Sequence, residues 1–119
     1  MKNIAVVFTH SPYGNTIGQE GLDVIISLAS YTNKISVFFF GDGVFQCIKK
    51  FFIKCINFYD YSKKFKILTI LGIKNFYCEK LSLKSRGLFD INNFFLKLKV
   101  IKMKVFLKKL SKFDHILNF

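Results

Sequence analysis

Two uninterrupted apolar runs constrain this chain more than anything else in it. IAVVF, from Ile4 to Phe8, and ISVFFF, from Ile35 to Phe40, are rich in β-branched and aromatic residues and lack the polar alternation of a half-exposed strand. Such runs belong to strands covered on both faces, which is the condition of strands inside a parallel sheet. Between them THSPYGNT carries Pro12 and Gly14 as breakers, with Asn15 or Thr16 placed to cap a helix. From Ile17 to Tyr31 the apolar residues Leu22, Ile25, Ile26, Leu28 and Ala29 recur at helical spacing, and Glu20 and Asp23 lie in the early turns that the helix dipole favours. Strand, helix and strand within forty residues form a βαβ unit, whose right-handed crossover makes the two strands parallel.

The rest of the chain extends this pattern. Val44 to Tyr59 is amphipathic only in patches, with Lys49, Lys50 and Lys54 interrupting the apolar residues, and it reads as helix, coil or a mixture. Tyr61 to Leu71 reads as a helix stopped by Gly72, and Ile73 to Cys78 as a third strand. LSLKSRGL is a short helix ending at Gly87. Leu96 to Ile101 is a fourth strand whose alternating Lys97 and Lys99 suit an edge. Lys102 to Lys112 is an amphipathic helix, and His115 to Phe119 a fifth strand. The expected architecture is a three-layer α/β/α domain, one domain over residues 1–119, around a mostly parallel sheet of about five strands.

Charge bears on partners. The 119 residues carry +12, and since residues 1–33 hold Lys2 against Glu20 and Asp23, a net of −1, the remainder carries +13. Nineteen basic residues would ordinarily direct attention to nucleic acid. Arg86 is the single arginine among them, however, and recognition of bases and phosphates favours the arginine fork. Phe, Ile, Lys, Asn and Tyr, whose codons are rich in A and T, dominate the chain, so codon drift accounts for much of the lysine. A solvated basic surface is the plainer reading, and a surface that touches RNA the alternative. No window is long and apolar enough for a membrane span, and the start meets His10, Pro12 and Gly14 where a signal peptide would continue. Cys47, Cys55 and Cys78 form no CxxC pair and no secreted disulfide framework, which points to a reducing cytoplasm.

Ligands of parallel sheets gather beyond the carboxyl ends of the strands, here His10 to Asn15, Gly41 to Gly43 and Cys78 to Lys80. SPYGNTIG is neither GxGxxG nor GxxxxGK(S/T), so a phosphate cradle is poorly supported. His10 has no carboxylate nearby in sequence to orient it, His115 follows Asp114 at the start of the last strand and reads as a residue without chemistry, and no carboxylate pair, Ser-His-Asp order or metal-ligand spacing emerges. No cofactor and no metal is expected. Cys78 stands apart by position, at the carboxyl end of a strand and before a short helix whose amides, with Lys80, can favour a thiolate able to carry persulfide sulfur. The alternative is a partly buried, inert cysteine.

In order along the chain, MKNIAVVFTHSPYGNTIGQEGLD, ISVFFFGDGVFQ, ILGI before a strand ending in Cys78, SLKSRGL and FDHILNF resemble the DsrF/TusC family of the DsrE/DsrF-like superfamily, subunits of the bacterial Tus sulfur relay. The likeness is specific in the first 46 residues and lapses between Cys47 and Lys66. It implies a DsrE-like fold and a non-catalytic, structural subunit in a dimer of heterotrimers with TusB-like and TusD-like chains. Such an assembly takes sulfur from a TusA-like protein and passes it through a TusE-like one towards 2-thiolation of the tRNA wobble uridine, so tRNA is met only indirectly and no membrane is involved. In that family the TusD subunit holds the carrier cysteine at the end of a corresponding strand before a similar Arg-Gly helix, a placement that Cys78 matches. The resemblance also gives the aromatic residues a purpose at subunit boundaries, with Tyr13, Phe39, Phe40 and Phe45 as the interface candidates. A different class of function, an independent module that binds RNA or a small anionic ligand through its lysines, remains beside it.

Overall fold

The computed structural model of the chain describes residues 3–10, 17–32, 34–47, 67–87 and 98–119. Strand β1 spans Ile4–Phe8, helix α1 Ile17–Ala29 and strand β2 Ile35–Phe39, followed by a 3-10 segment over Gly41–Cys47. Residues 67–70 are helical. Strand β3 is Asn75–Glu79, helix α2 Lys80–Ser85, strand β4 Lys99–Ile101, helix α3 Met103–Leu110 and strand β5 His115–Asn118. The readings for residues 48–66, for the start of the helix before Gly72 and for Lys97 lie outside the described residues.

All five strands are parallel, in the order β4-β3-β2-β1-β5. The three apolar runs occupy the middle of the sheet, where both faces need cover, and β4 and β5 take the edges. The lysine-bearing β4 is where its alternation placed it. Register is direct: Ile4 lies beside Ile35 and Phe8 beside Phe39. The Phe8 and Phe39 rings consequently stack, with centroids 5.6 Å apart.

Side-chain alternation divides the FFF triplet between two cores. On one face Val6, Phe8, Val37, Phe39, Phe76 and Cys78 pack under Leu22 and Ile25 of α1, together with Leu68, Ile73 and Leu83. On the other, Ala5, Val7, Phe38 and Tyr77 pack under Phe106 of α3. Phe38 is boxed in by aromatic rings, stacked on Tyr77 at 5.0 Å and met edge-on by Phe106 at 5.3 Å and Phe113 at 5.6 Å. Fully burying side chains of this size stabilises by about 1.5–3 kcal/mol each, so the triplet anchors both layers.

Glycine ends the helix before β3. Gly72 adopts φ +95°, donating from its N–H to the Thr69 carbonyl while Ile73 donates to Leu68, and this 6→1 and 5→2 pair satisfies the last carbonyls of the helix. The chain thereby turns straight into β3.

Candidate functional site

The carboxyl ends of β1, β2 and β3 lie side by side, since β2 is the strand between the other two. The segment GDG after β2 is shaped by two different demands. Gly41 has φ +59°, in the left-handed region that glycine enters without a Cβ penalty. Gly43 is pressed so closely on β1 that a Cβ there would lie 1.8 Å from the Phe8 carbonyl oxygen. Phe40 N donates to that same carbonyl at 3.0 Å, and Gly43 N donates to Phe40 O at 3.0 Å. The apolar strand stops so abruptly because its next residues must fold flat against the end of β1.

Next to this turn stands a buried polar clamp. Glu79 ends β3, is 1% exposed, and caps α2 by accepting from Leu81 N at 3.0 Å and from Ser82 N. The Ser82 hydroxyl donates to Glu79 Oε2 at 2.6 Å, and its oxygen accepts from Gly41 N at 3.0 Å. A single hydroxyl therefore joins the end of β3 to the turn after β2. Outside it, Arg86 Nε donates to Asp42 Oδ1 at 3.0 Å, while Nη1 donates to the Ser82 carbonyl and the Ser85 hydroxyl, both at 3.1 Å. The chain's one arginine is spent on holding α2 against GDG.

Cys78 lies one residue before the clamp, at 0% exposure, and its side chain belongs to the core under α1. The α2 amides that the sequence reading directed towards the thiol are bound by the Glu79 carboxyl group, and Lys80 is exposed. The geometry is that of a packed thiol behind a satisfied helix cap, and buried cysteines of that kind are inert. Of the four interface candidates, Phe39 is a core residue at 0% exposure and offers no surface to a neighbour, because alternation turns it under α1. Phe40 is half-buried, its ring 5.8 Å from that of Phe106. Phe45 falls in the 3-10 segment with its side chain outside the described residues, as is Tyr13 altogether. His10 is exposed, its Nδ1 3.3 Å from the Thr9 hydroxyl, and His115 begins the edge strand β5. Among the described residues no group of His, Cys, Asp and Glu could hold a metal ion, and no helix is long and apolar enough to cross a membrane.

Sequence reasoning passed over Glu79 and Ser82. The available signal was an acidic residue just before a short helix with a serine three positions on, a capping pattern whose long-range half, Gly41, no local window contains.

An all-parallel five-stranded α/β sheet closed in this way defines a DsrE-like class of protein. The crystal structure of the ychN protein from E. coli has the same fold, with a TM-score of 0.80 at 19% identity and full coverage of both chains. The DsrE/DsrF-like family model matches residues 2–119, and the chain belongs to that family. It is 47% identical over its whole length to a Protein TusC of Buchnera aphidicola subsp. Schizaphis graminum and 42% to that of Buchnera aphidicola subsp. Baizongia pistaciae. To a Protein TusC of Escherichia fergusonii it is 33% identical, and in all three comparisons both chains are covered completely.

Proposed function

We propose that this chain is a single-domain structural subunit of a cytoplasmic Tus-type sulfur relay. It acts by completing an assembly with TusB-like and TusD-like chains, as a dimer of heterotrimers, through which persulfide sulfur passes from a TusA-like donor to a TusE-like acceptor and on to the tRNA wobble uridine. The observation that carries the proposal is end-to-end identity of 33–47% with proteins named TusC. Two features of the molecule support the assembly role over private chemistry. Cys78 is packed in the core, and the neighbouring Glu79, Ser82 and Gly41 groups are bonded to one another. Large apolar side chains meanwhile lie open on several elements, with Tyr31 81%, Ile70 83%, Leu81 65% and Leu107 58% exposed. Side chains of this kind are what partner subunits can cover, although singly scattered ones are ordinary on any protein surface.

Co-expression tests the reading. The isolated chain is expected to aggregate, and production with its two sister subunits to give a defined complex whose native mass reports the stoichiometry. A monodisperse monomer at high concentration that ignores both sister subunits would refute the proposal.

A further inference from the structure

At the opposite end of the sheet from the clamp, the amino ends of β1, β2 and β3 open into a cleft of about 450 Å³. Its lining combines cations from two distant parts of the sequence, Lys34 before β2 and Lys109 and Lys112 at the end of α3, with Ser36, Tyr77 and Phe113. Among the described residues none of the three ammonium groups is in an ion pair, and the carboxyl group of Asp114, next to Phe113 in sequence, accepts from Asn3 N at 2.8 Å. Lys109 Nζ lies 4.9 Å from the Tyr77 ring centroid, and Lys99 Nζ approaches the same ring at 5.5 Å. Ser36 is only 6% exposed, and its hydroxyl has no hydrogen-bond partner among the described residues. A hydroxyl so placed is served by water in the cleft or by an occupant that offers it a partner.

We propose that this cleft binds the phosphate of a nucleotide, Lys34, Lys109 and Lys112 supplying charge and Ser36 a hydroxyl. Three lysines lining one cleft overmatch a lone carboxylate, whereas a phosphate monoester carries about −1.5 to −2 at neutral pH and accepts from several donors at once. The volume lies in the range of small-molecule sites, about 300–1,000 Å³, and the half-buried Phe113 gives the wall an aromatic portion against which a base can rest, the Tyr77 ring being taken up by Phe38 and the lysines. The cleft is formed within one protomer and stands or falls independently of the assembly reading.

The test is photolabelling of the full chain, alone or in whichever assembly keeps it monodisperse, with 8-azidoadenosine monophosphate, followed by peptide mapping. Saturable labelling is expected in segments 34–36, 75–77 or 109–113, and Lys109→Ala with Lys112→Ala should weaken it about tenfold, the scale of losing charge-assisted contacts. Lys104→Ala with Lys108→Ala removes the same charge from exposed positions on the same helix and should change labelling less than about twofold. Displacement by unlabelled AMP identifies a free nucleotide as the occupant; displacement by a 5′-phosphorylated RNA hexamer at lower concentration identifies a nucleotide within RNA. Absence of saturable labelling at these segments, equal weakening by both double variants, or RNA displacement indifferent to Lys109 and Lys112 would overturn the proposal.

Discussion

Removing the Ser82 hydroxyl asks how much of the carboxyl edge depends on one oxygen. In Ser82→Ala the Glu79 Oε2 loses its 2.6 Å donor and Gly41 N loses its 3.0 Å acceptor, while the two backbone bonds to Glu79 remain. A hydrogen bond to a charged group contributes about 1.5–3 kcal/mol, and an unsatisfied buried group adds a desolvation penalty. Glu79 is 1% and Ser82 5% exposed, so water cannot replace the lost donor without opening the core. The expected loss is about 2–4 kcal/mol, a large share of the about 5–15 kcal/mol by which domains are stable. Asp42→Ala is the internal comparison, since it breaks the neighbouring 3.0 Å ion pair with Arg86, whose side chains are 61% and 28% exposed. Solvent screens that pair, and its loss should cost about 0–1 kcal/mol. Urea unfolding of the two variants in the assembled complex, followed by the fluorescence of a dye placed on this chain, gives both midpoints. If Asp42→Ala proves as damaging as Ser82→Ala, or if Ser82→Ala costs under about 0.5 kcal/mol, the clamp is not what joins β3 to the GDG turn.

Gly43→Ala should be among the worst single-atom additions to this chain, because the new methyl meets the Phe8 carbonyl and backbone must move; a thermal midpoint within 2 °C of the parent, on a scale where about 1 kcal/mol is 4–8 °C, would show that the turn yields freely. Phe39→Ala should cost about 3–5 kcal/mol and Ile116→Ala on the edge strand about 1 kcal/mol or less, a ranking that chemical denaturation checks directly. Cys78 in the folded chain should resist a thiol reagent such as DTNB until denaturant is added, and Cys78→Ala in the intact assembly should leave tRNA thiolation unchanged. Rapid native-state labelling of Cys78, or lost thiolation with assembly intact, would assign it a chemical role instead.

Local pattern carried the outline of the fold far. Residues such as Val6, Val37 and Phe76 have no polar alternation around them, so buried parallel strands follow from the requirement that both faces be covered. Gly72 and Gly87 marked helix ends because left-handed backbone penalises any side chain, and both have positive φ. The site was less legible. The place of Cys78 at the carboxyl end of a strand is legible in the sequence, but its distance from solvent depends on Leu22 and Ile25 of α1, more than fifty residues earlier in the chain, and alternation cannot say which face a helix will cover. Phe39 is not legible as a core residue for the same reason: a run of three identical residues gives no phase, and only the packing of α1 and α3 sorts Phe39 from Phe38.

For the described strands and helices outside residues 44–47, the sequence by itself determined element types, their succession and a mostly parallel sheet, since those follow from periodicity and from the βαβ pattern within a few dozen residues. Tertiary structure alone decided what meets at the two ends of the strands. The order β4-β3-β2-β1-β5 brings Ser82 to Gly41 at one end and Lys34 to Lys109 and Lys112 at the other. Those meetings depend on strand neighbours chosen by packing free energy over the whole molecule, a quantity that no local stretch of residues contains.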